Sequence, residues 1–180
     1  MRAFLSKVIS TPKNTIPAKD IKNSQTEIIA LGKQINKKIG KMFNGSLAIR
    51  EVDAGSDNAC EHELTALSNA FYDIDRFGIH FVASPKHADM LMVTGPVARN
   101  MASAVVSAYK STPDPKIIVA VGDDAIDGGM FKGSYAVLDG VSSVIPVDYA
   151  IPGDPPTPMT ILRALLDILE DIEKKTVRKK

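Results

Sequence analysis

From residue 46 onward, short apolar segments alternate with segments of helical periodicity, and this alternation limits the chain to few folds. The segment 117–121, IIVAV, is apolar throughout, which is typical of a strand buried on both faces of a parallel sheet. Because alternating strands and helices favour right-handed crossovers, we predict an α/β fold with a doubly wound, mainly parallel, flavodoxin-like sheet. The predicted strands are 47–52, 79–83, 90–95, 117–121 and 144–147, and the predicted helices are about 60–72, 97–110 and a final helix that begins at Thr157 and Pro158.

Three loops of this predicted sheet are candidates for a functional site. In doubly wound sheets, ligands bind outside the carboxyl ends of the strands, near the switch in strand order. The loops expected at that edge are 53–60, 122–129 and 148–158. We therefore expect the functional side chains to lie in these three loops.

Basic charge is concentrated at the two ends of the chain. Residues 1–45 contain nine Lys or Arg and two acidic residues, whereas 174–180 contain five Lys or Arg and no acidic residue. The central stretch 46–173 has eight basic and nineteen acidic residues. We predict a basic arm with an amphipathic helix over 1–45, an α/β domain over 46–173 and a basic tail over 174–180. The basic ends are compatible with an anionic lipid surface, with acidic partner subunits or with simple solvation.

The amphipathic helix has its own boundary signals. Ser24 and Glu27 form a capping-box pattern that predicts its start, and Gly45 marks its end. The spacing of its apolar residues favours packing onto the domain or a partner over lying in a membrane interface. The apolar face consists of Ile28, Leu31, Ile35, Ile39 and Met42.

Several function classes lack the residues that they require. The single cysteine, Cys60, excludes an internal disulfide framework, and no apolar run approaches the roughly 20 residues that cross a bilayer. No Gly-rich dinucleotide fingerprint and no P-loop lysine lies between a strand and a helix. The acidic central stretch disfavours nucleic-acid binding. We therefore expect a protein of the cytoplasmic side, without an obvious active site of its own.

The three candidate loops carry motifs in a fixed order. They read GSDNACEHE at 55–63, VGDDAIDGG at 121–129 and IPVDYAIPGDPPTP at 145–158. Together with REVDAGS, YDIDRFGIHFVASPKHAD and VTGPV, they resemble the small subunit of group 4, energy-converting [NiFe]-hydrogenases and formate hydrogenlyases over about residues 46–166. The respiratory complex I subunit that carries the terminal iron–sulfur cluster is a more distant relative.

The resemblance implies one [4Fe–4S] cluster, and it places four ligand positions on this sequence. In the family, two cysteines lie in a C-x-x-C turn, one follows Gly-Asp, and one lies in Pro-Gly-Cys-Pro-Pro. The matching residues are Asp57, Cys60, Asp124 and Asp154, so three of the four positions hold aspartate. The framing residues are retained: Gly55, Ser56, Glu63, Gly122, Asp123, Gly153, Pro155 and Pro156.

The change of ligand type argues against a normal cluster. Iron–sulfur clusters are held by soft thiolates, whereas a carboxylate oxygen is a hard donor. We therefore predict that [4Fe–4S] is absent and that the electron transfer typical of the family is impaired or lost. Three crowded carboxylates leave three alternatives for the pocket: water with polar side chains, shared protons, or a hard divalent cation bound by Asp57, Asp124 and Asp154.

Cys60 is the one retained ligand residue of the resemblance. It lies near the start of a predicted helix capped by Asn58, where the helix dipole lowers the pKa of a thiol. Because it has no partner thiol in this chain, we expect Cys60 to be inert.

The resemblance also implies neighbours and partners for the site. Glu63, Arg76 and Asp123 are expected near the cluster position or the subunit interface, and ordinary surface roles are the alternative interpretation for Glu63 and Arg76. The implied partners are a large hydrogenase-like subunit, a ferredoxin-like subunit and membrane-arm subunits. These partners would hold the chain peripherally on the inner face of the cell membrane.

Overall fold

The computed structural model describes residues 18–178, and its centre is a sheet of five parallel strands. These are β1 (Leu47–Asp53), β2 (Ile79–Phe81), β3 (Met90–Thr94), β4 (Ile117–Val121) and β5 (Tyr149–Ile151). Their order across the sheet is β2-β1-β3-β4-β5, and every pairing is parallel. This is the order of doubly wound flavodoxin-like sheets, in which the direction of winding switches between β1 and β3. The predicted fold class is therefore confirmed.

Helices cover both faces of the sheet. They are α1 (Ala18–Met42), α2 (Ala59–Ala66), α3 (Ala102–Ser111), α4 (Asp123–Asp127) and α5 (Pro158–Arg178). Residues of α1, α2 and α5 form one core, and residues of α3 and α4 form the other. Because successive side chains of a strand point to opposite faces, Met90 and Met92 join the first core and Leu91 and Val93 the second. This explains why β3 is buried at every position.

Helices α1 and α5 pack together on the first face. The predicted apolar face of α1 is directed inward, with Ile28, Ile35 and Ile39 fully buried. Its charged residues pair with α5. Lys38 Nζ lies 2.8 Å from a Glu173 carboxylate oxygen, and Lys41 Nζ lies 3.1 Å from the other. The predicted packing of this helix onto the domain is confirmed.

Three predicted helix boundaries are wrong. Helix α1 begins at Ala18, so Ser24 lies inside the helix and does not cap it. Helix α2 ends at Ala66, well before residue 72, and turns lead to a 3-10 segment that begins at Ile74. Helix α3 begins at Ala102, not at Val97, because the backbone of Val97 and Ala98 pairs with residues 137–139.

The last predicted strand, 144–147, is also wrong. Ile145 is buried in the second core, and the last strand is β5 at 149–151. Asp148 brings the chain onto the sheet: its N–H donates to the carbonyl of Ile118, and its carboxylate accepts from the Ile118 N–H, both at 2.9 Å.

The start of α5 matches the prediction. Pro158 is the first helical residue, and Thr157 Oγ1 accepts a hydrogen bond from the Thr160 N–H at 3.3 Å. No helix in the part of the chain described here is long and apolar enough to cross a membrane. The predicted arm, apart from Ala18, and the last two residues of the predicted tail lie outside the described residues.

Candidate functional site at the carboxyl edge of the sheet

The loops that follow β1, β4 and β5 meet at the carboxyl edge of the sheet. The Gly122 N–H donates to the Ile151 carbonyl, and the Asp123 N–H donates to the Gly153 carbonyl, each at 2.9 Å. The Gly153 N–H donates in return to Asp123 Oδ1 at 2.9 Å. These bonds tie the loop after β4 to the loop after β5. Asp123 therefore lies within the site and holds two of its loops together.

Gly122 joins the third loop to the other two. A Cβ atom at Gly122 would lie 2.5 Å from Cys60 Sγ, a distance that real Cβ atoms do not tolerate. Its φ of +93° also lies in the left-handed region that favours glycine. The thiol of Cys60, at the start of α2, therefore packs directly against the backbone after β4. The expected convergence of the three loops is present.

The three aspartates surround Cys60 but differ in their exposure. Asp57 and Asp154 are exposed, and Asp124 is half-buried. Asp57 Oδ1 also accepts a hydrogen bond from the Ala59 N–H at 2.9 Å. The site is consequently more open to solvent than crowding of carboxylates in a dry pocket requires.

Asp124 is the aspartate whose charge is disfavoured. Burial raises its pKa above the usual value of 3.8, and the neighbouring charges of Asp154 and Asp57 raise it further. The backbone N–H of Met130 partly offsets this effect by hydrogen bonding to the carboxylate. Asp124 therefore holds its proton more tightly than an exposed aspartate does.

Cys60 is a buried thiol in a negative environment. Burial raises its pKa to about 12, and the charges of Glu61, Asp57, Asp124 and Asp154 act in the same direction. The predicted lowering by the helix dipole is wrong, because these effects outweigh the partial charge of a short helix. Asn58 does not cap that helix through its side chain, and its φ of 74° is left-handed. The chemistry of Cys60 in this chain is that of a neutral thiol.

The other two predicted neighbours, Glu63 and Arg76, have contacts elsewhere. Glu63 lies near Tyr72, whose phenol has a pKa raised by burial and by the Glu63 charge. Arg76 is exposed, lies 3.7 Å from an Asp73 oxygen and covers the ring of Phe77. Neither is among the charges that act on Cys60 or Asp124. Their roles at a subunit interface stay predictions.

The sequence-based prediction omits Glu61, which is the most buried acidic side chain near the site. Its exposed fraction is 7%; Ser56 Oγ donates to Oε1 at 2.5 Å, and Thr94 Oγ1 donates to the same oxygen. The other oxygen, Oε2, has no hydrogen-bond partner among the described residues. The spacing of three residues between Glu61 and the buried Leu64 is the signal that could have placed Glu61 on the inner face of α2.

The donor set decides which groups this site fits. A [4Fe–4S] cluster is held by cysteine thiolates, usually four. Here one neutral thiol faces three carboxylates, so the residues present do not fit that cluster. Within residues 18–178 no group of three or more His, Cys, Asp or Glu side chains is arranged to hold a metal ion. A hard cation bound by Asp57, Asp124 and Asp154 stays a prediction.

Comparison with known proteins places this site in a family. The family model described as the 20 kDa subunit of NADH ubiquinone oxidoreductase matches residues 58–168, which include three of the four ligand positions and α2 to most of α5. The chain belongs to this family. Its members' fold and the chain's own fold agree, and the predicted resemblance is confirmed.

Curated relatives of this 20 kDa-subunit chain come from hydrogenases and from complex I. Formate hydrogenlyase subunit 7 of Escherichia coli is 42% identical over 75% of this chain and 53% of its own length. A probable membrane-bound hydrogenase subunit of Pyrococcus furiosus is 39% identical over 79% of this chain and 87% of its own. One subunit of the NADH-quinone oxidoreductase of Desulfovibrio desulfuricans is 40% identical over 66% and 64%. The chain thus spans about half the length of the Escherichia coli relative.

Two solved structures share the fold. A chain in the membrane-bound sulfane sulfur reductase, an archaeal respiratory membrane complex, superposes with a TM-score of 0.64 at 29% identity, covering 83% of this chain and 76% of that one. A chain of an NAD+-reducing [NiFe]-hydrogenase superposes with a TM-score of 0.54 at 18% identity, covering 70% and 92%. The second likeness concerns the fold alone.

Proposed function

We propose that this chain assembles as a subunit of a membrane-associated redox complex of the hydrogenase, formate hydrogenlyase or complex I type, and that it carries no [4Fe–4S] cluster of its own. The observation that carries the proposal is the presence of Asp57, Asp124 and Asp154 around Cys60, where three well-formed loops meet. The loop framework is retained and the soft ligands are not. The role that remains is one of assembly and structure, without electron relay through this site.

The partners follow from family membership and from the relatives. They are a large hydrogenase-like subunit, a ferredoxin-like subunit and membrane-arm subunits, which hold the chain peripherally on the cytoplasmic face of the cell membrane. In this proposal the α/β domain, 46–173, makes the subunit contacts. The basic arm within 1–45 and the basic tail, 174–180, flank it and face acidic partners or lipid.

The raised pKa of Asp124 supports a pocket that shares protons over one that is evenly charged. A divalent cation is the competing occupant, and it is tested separately. If Mg²⁺ or Ca²⁺ binds the native chain alone, millimolar metal raises the melting temperature by mass action. An unchanged melting temperature supports a pocket filled by water and protons.

The cluster is tested by restoring the ligands. The triple variant Asp57→Cys/Asp124→Cys/Asp154→Cys and the unaltered chain are reconstituted anaerobically with iron and sulfide, followed by iron analysis and EPR. Because the loops already converge, we expect the triple variant to bind about four irons and the unaltered chain to bind none in stoichiometric amount. Adding Cys60→Ser to the triple variant is the matched control and should weaken the cluster. A four-iron signal in the unaltered chain would overturn the proposal.

Assembly is tested in the native host. The full chain carries an affinity tag, membranes are solubilised in mild detergent, and co-purifying subunits are identified by mass spectrometry. The proposal expects homologues of hydrogenase or complex I large subunits in stoichiometric amount. Recovery of the tagged chain alone, from membranes and from the soluble fraction, contradicts it.

A further inference from the structure

The loop after α4, residues 128–139, exposes large apolar side chains. Met130 is 86% exposed, Tyr135 is 91% exposed and Phe131 is 41% exposed. Five large apolar side chains are exposed in the described part of the chain, and three of them lie in this loop. Exposed apolar groups concentrated in one place mark contact surfaces more often than the same groups scattered singly.

The loop is held by backbone hydrogen bonds to the segment after β3. The Leu138 N–H donates to the Val97 carbonyl at 2.7 Å, and the Val97 N–H donates to the Asp139 carbonyl at 2.9 Å. The side chain of Arg99 adds a bond from Nε to the Tyr135 carbonyl at 2.6 Å. Because the backbone is already fixed, a partner that covers Met130 and Tyr135 orders little more than their side chains.

Unneutralised carboxylates border this apolar loop. Gly129 packs so closely against the Asp124 carboxylate that a Cβ there would collide with it, and Met130 follows directly. Neither Asp124 nor Asp57 nor Asp154 forms an ion pair with any residue of the described chain. The nearby Lys132 is engaged by Asp127 at 2.9 Å. The surface thus combines apolar contact area with negative charge that the chain leaves uncompensated.

We propose that the 128–139 loop and the three aspartates form one docking surface, and that its occupant is a partner-subunit segment with apolar side chains for Met130 and Tyr135 and an Arg or Lys for the carboxylates. This rests on the proposed function and specifies the chemistry of the partner at the same site. A guanidinium suits the position because it binds carboxylates in a bidentate manner and stays charged when partly buried.

Charge excludes the other occupants. An anionic lipid surface and a nucleic acid both carry negative charge, which the aspartates repel. A second copy of the chain in a two-fold arrangement would place the same carboxylates opposite one another, and like charges across an interface are unfavourable. The partner is therefore a different protein with a basic contact segment.

The test uses the tagged full chain in its native host, with the co-purified large subunit quantified by mass spectrometry. In Met130→Ser/Tyr135→Ser we expect recovery of the large subunit to fall at least about tenfold, the loss of one or two central contact residues. The matched control, Ile29→Ser/Val177→Ser, alters exposed apolar residues of α1 and α5 and should leave recovery within about twofold. Melting curves of each purified variant establish that it is folded.

A charge reversal tests the second half of the proposal. Asp57→Lys/Asp154→Lys should abolish recovery of the large subunit, whereas Asp167→Lys on α5 should not. A complex that forms with the unaltered chain and is recovered equally with all these variants overturns the docking surface and leaves the proposed function standing. Capture of a second copy in place of another subunit also overturns it. Absence of any large subunit with the unaltered chain counts against the proposed function itself.

Discussion

The carboxyl edge of the sheet and the α1/α5 helix pair carry charged side chains in opposite states of compensation. On the helix pair, Glu173 accepts from both Lys38 and Lys41, and Glu27 pairs with Arg163. At the edge of the sheet, Asp57 and Asp154 have no ion-pair partner among residues 18–178, and Asp124 is half-buried beside them. One surface is electrostatically complete within the chain, and the other is not.

This difference indicates where the fold requires a group from outside. Charges that are paired within the chain serve packing, and their loss affects stability modestly. Charges that crowd without a partner reduce stability unless a proton, a cation or a partner protein compensates them. In the family the same edge holds a cluster with thiolate ligands. Here hard carboxylates occupy those positions, so the compensating group must be different.

The largest expected effect concerns the thiol of Cys60. Because its pKa is raised to about 12, the native thiol at pH 8 should react with iodoacetamide at least about a hundredfold more slowly than the same thiol in urea. Asp57→Asn/Asp154→Asn removes two of the charges responsible and should increase the native rate. The rate is measured by mass spectrometry of the alkylated chain. Equal rates in the folded and unfolded chain would show that the edge is not the negative, buried environment described.

The next largest effect concerns the contact between Gly122 and Cys60. Gly122→Ala places a Cβ against Sγ and strains a φ of +93°, so we expect a loss of about 2–4 kcal/mol in the free energy of unfolding. In Gly122→Ala/Cys60→Ala the collision is removed and the backbone strain is not. Urea denaturation of the two single variants and the double variant should therefore show a partial rescue. Strict additivity of the two losses would separate the two loops.

Much of this edge could be predicted from the sequence, because local patterns determine it. The apolar run of β4 and the Thr157–Pro158 start of α5 are local signals, and glycines after strands mark the loops that approach closely. The site residues Asp57, Cys60, Asp124 and Asp154 were predicted by motif order, which requires no coordinates.

What could not be predicted depends on long-range contacts. The segments 144–147 and 149–151 both suit a strand, and the choice is made by Asp148, whose backbone and side chain bond to Ile118 thirty residues earlier. The burial of Glu61 depends on Ser56 and Thr94, which only the folded sheet brings together. The pKa of Cys60 likewise depends on charges from three separate loops.

A smaller effect, opposite in sign to most substitutions, is expected at Asp124. Its pKa is raised in the folded state, so the folded chain binds this proton more tightly and ionisation lowers stability above that pKa. Asp124→Asn keeps an acceptor for the Met130 N–H and removes the charge, and should stabilise the chain by about 0.5 kcal/mol at pH 7. The gain should vanish as the pH falls to 3.8 and below. Asp167→Asn, an exposed change on α5, is the control in the same urea titrations.

The smallest effect is expected at Glu173, and its sign completes the comparison. Hydrogen bonds from Lys38 and Lys41 lower the pKa of this carboxyl below 4.5, so its contribution to stability is present above pH 4.5 and is lost as the pH falls through the lowered value. Glu173→Gln should therefore lower the melting temperature slightly at pH 7. The difference should shrink in about 1 M salt, which screens exposed pairs, and disappear at low pH.

The two carboxylate variants, compared under the same conditions, separate the two regions. Above their pKa values, Asp124→Asn raises the melting temperature and Glu173→Gln lowers it, and both differences close as the pH falls. If Asp124→Asn also lowered it at pH 7, the carboxylate at the edge of the sheet would already be compensated within the chain. The three aspartates would then need no partner, and the contrast between a complete helix pair and an incomplete site would no longer hold.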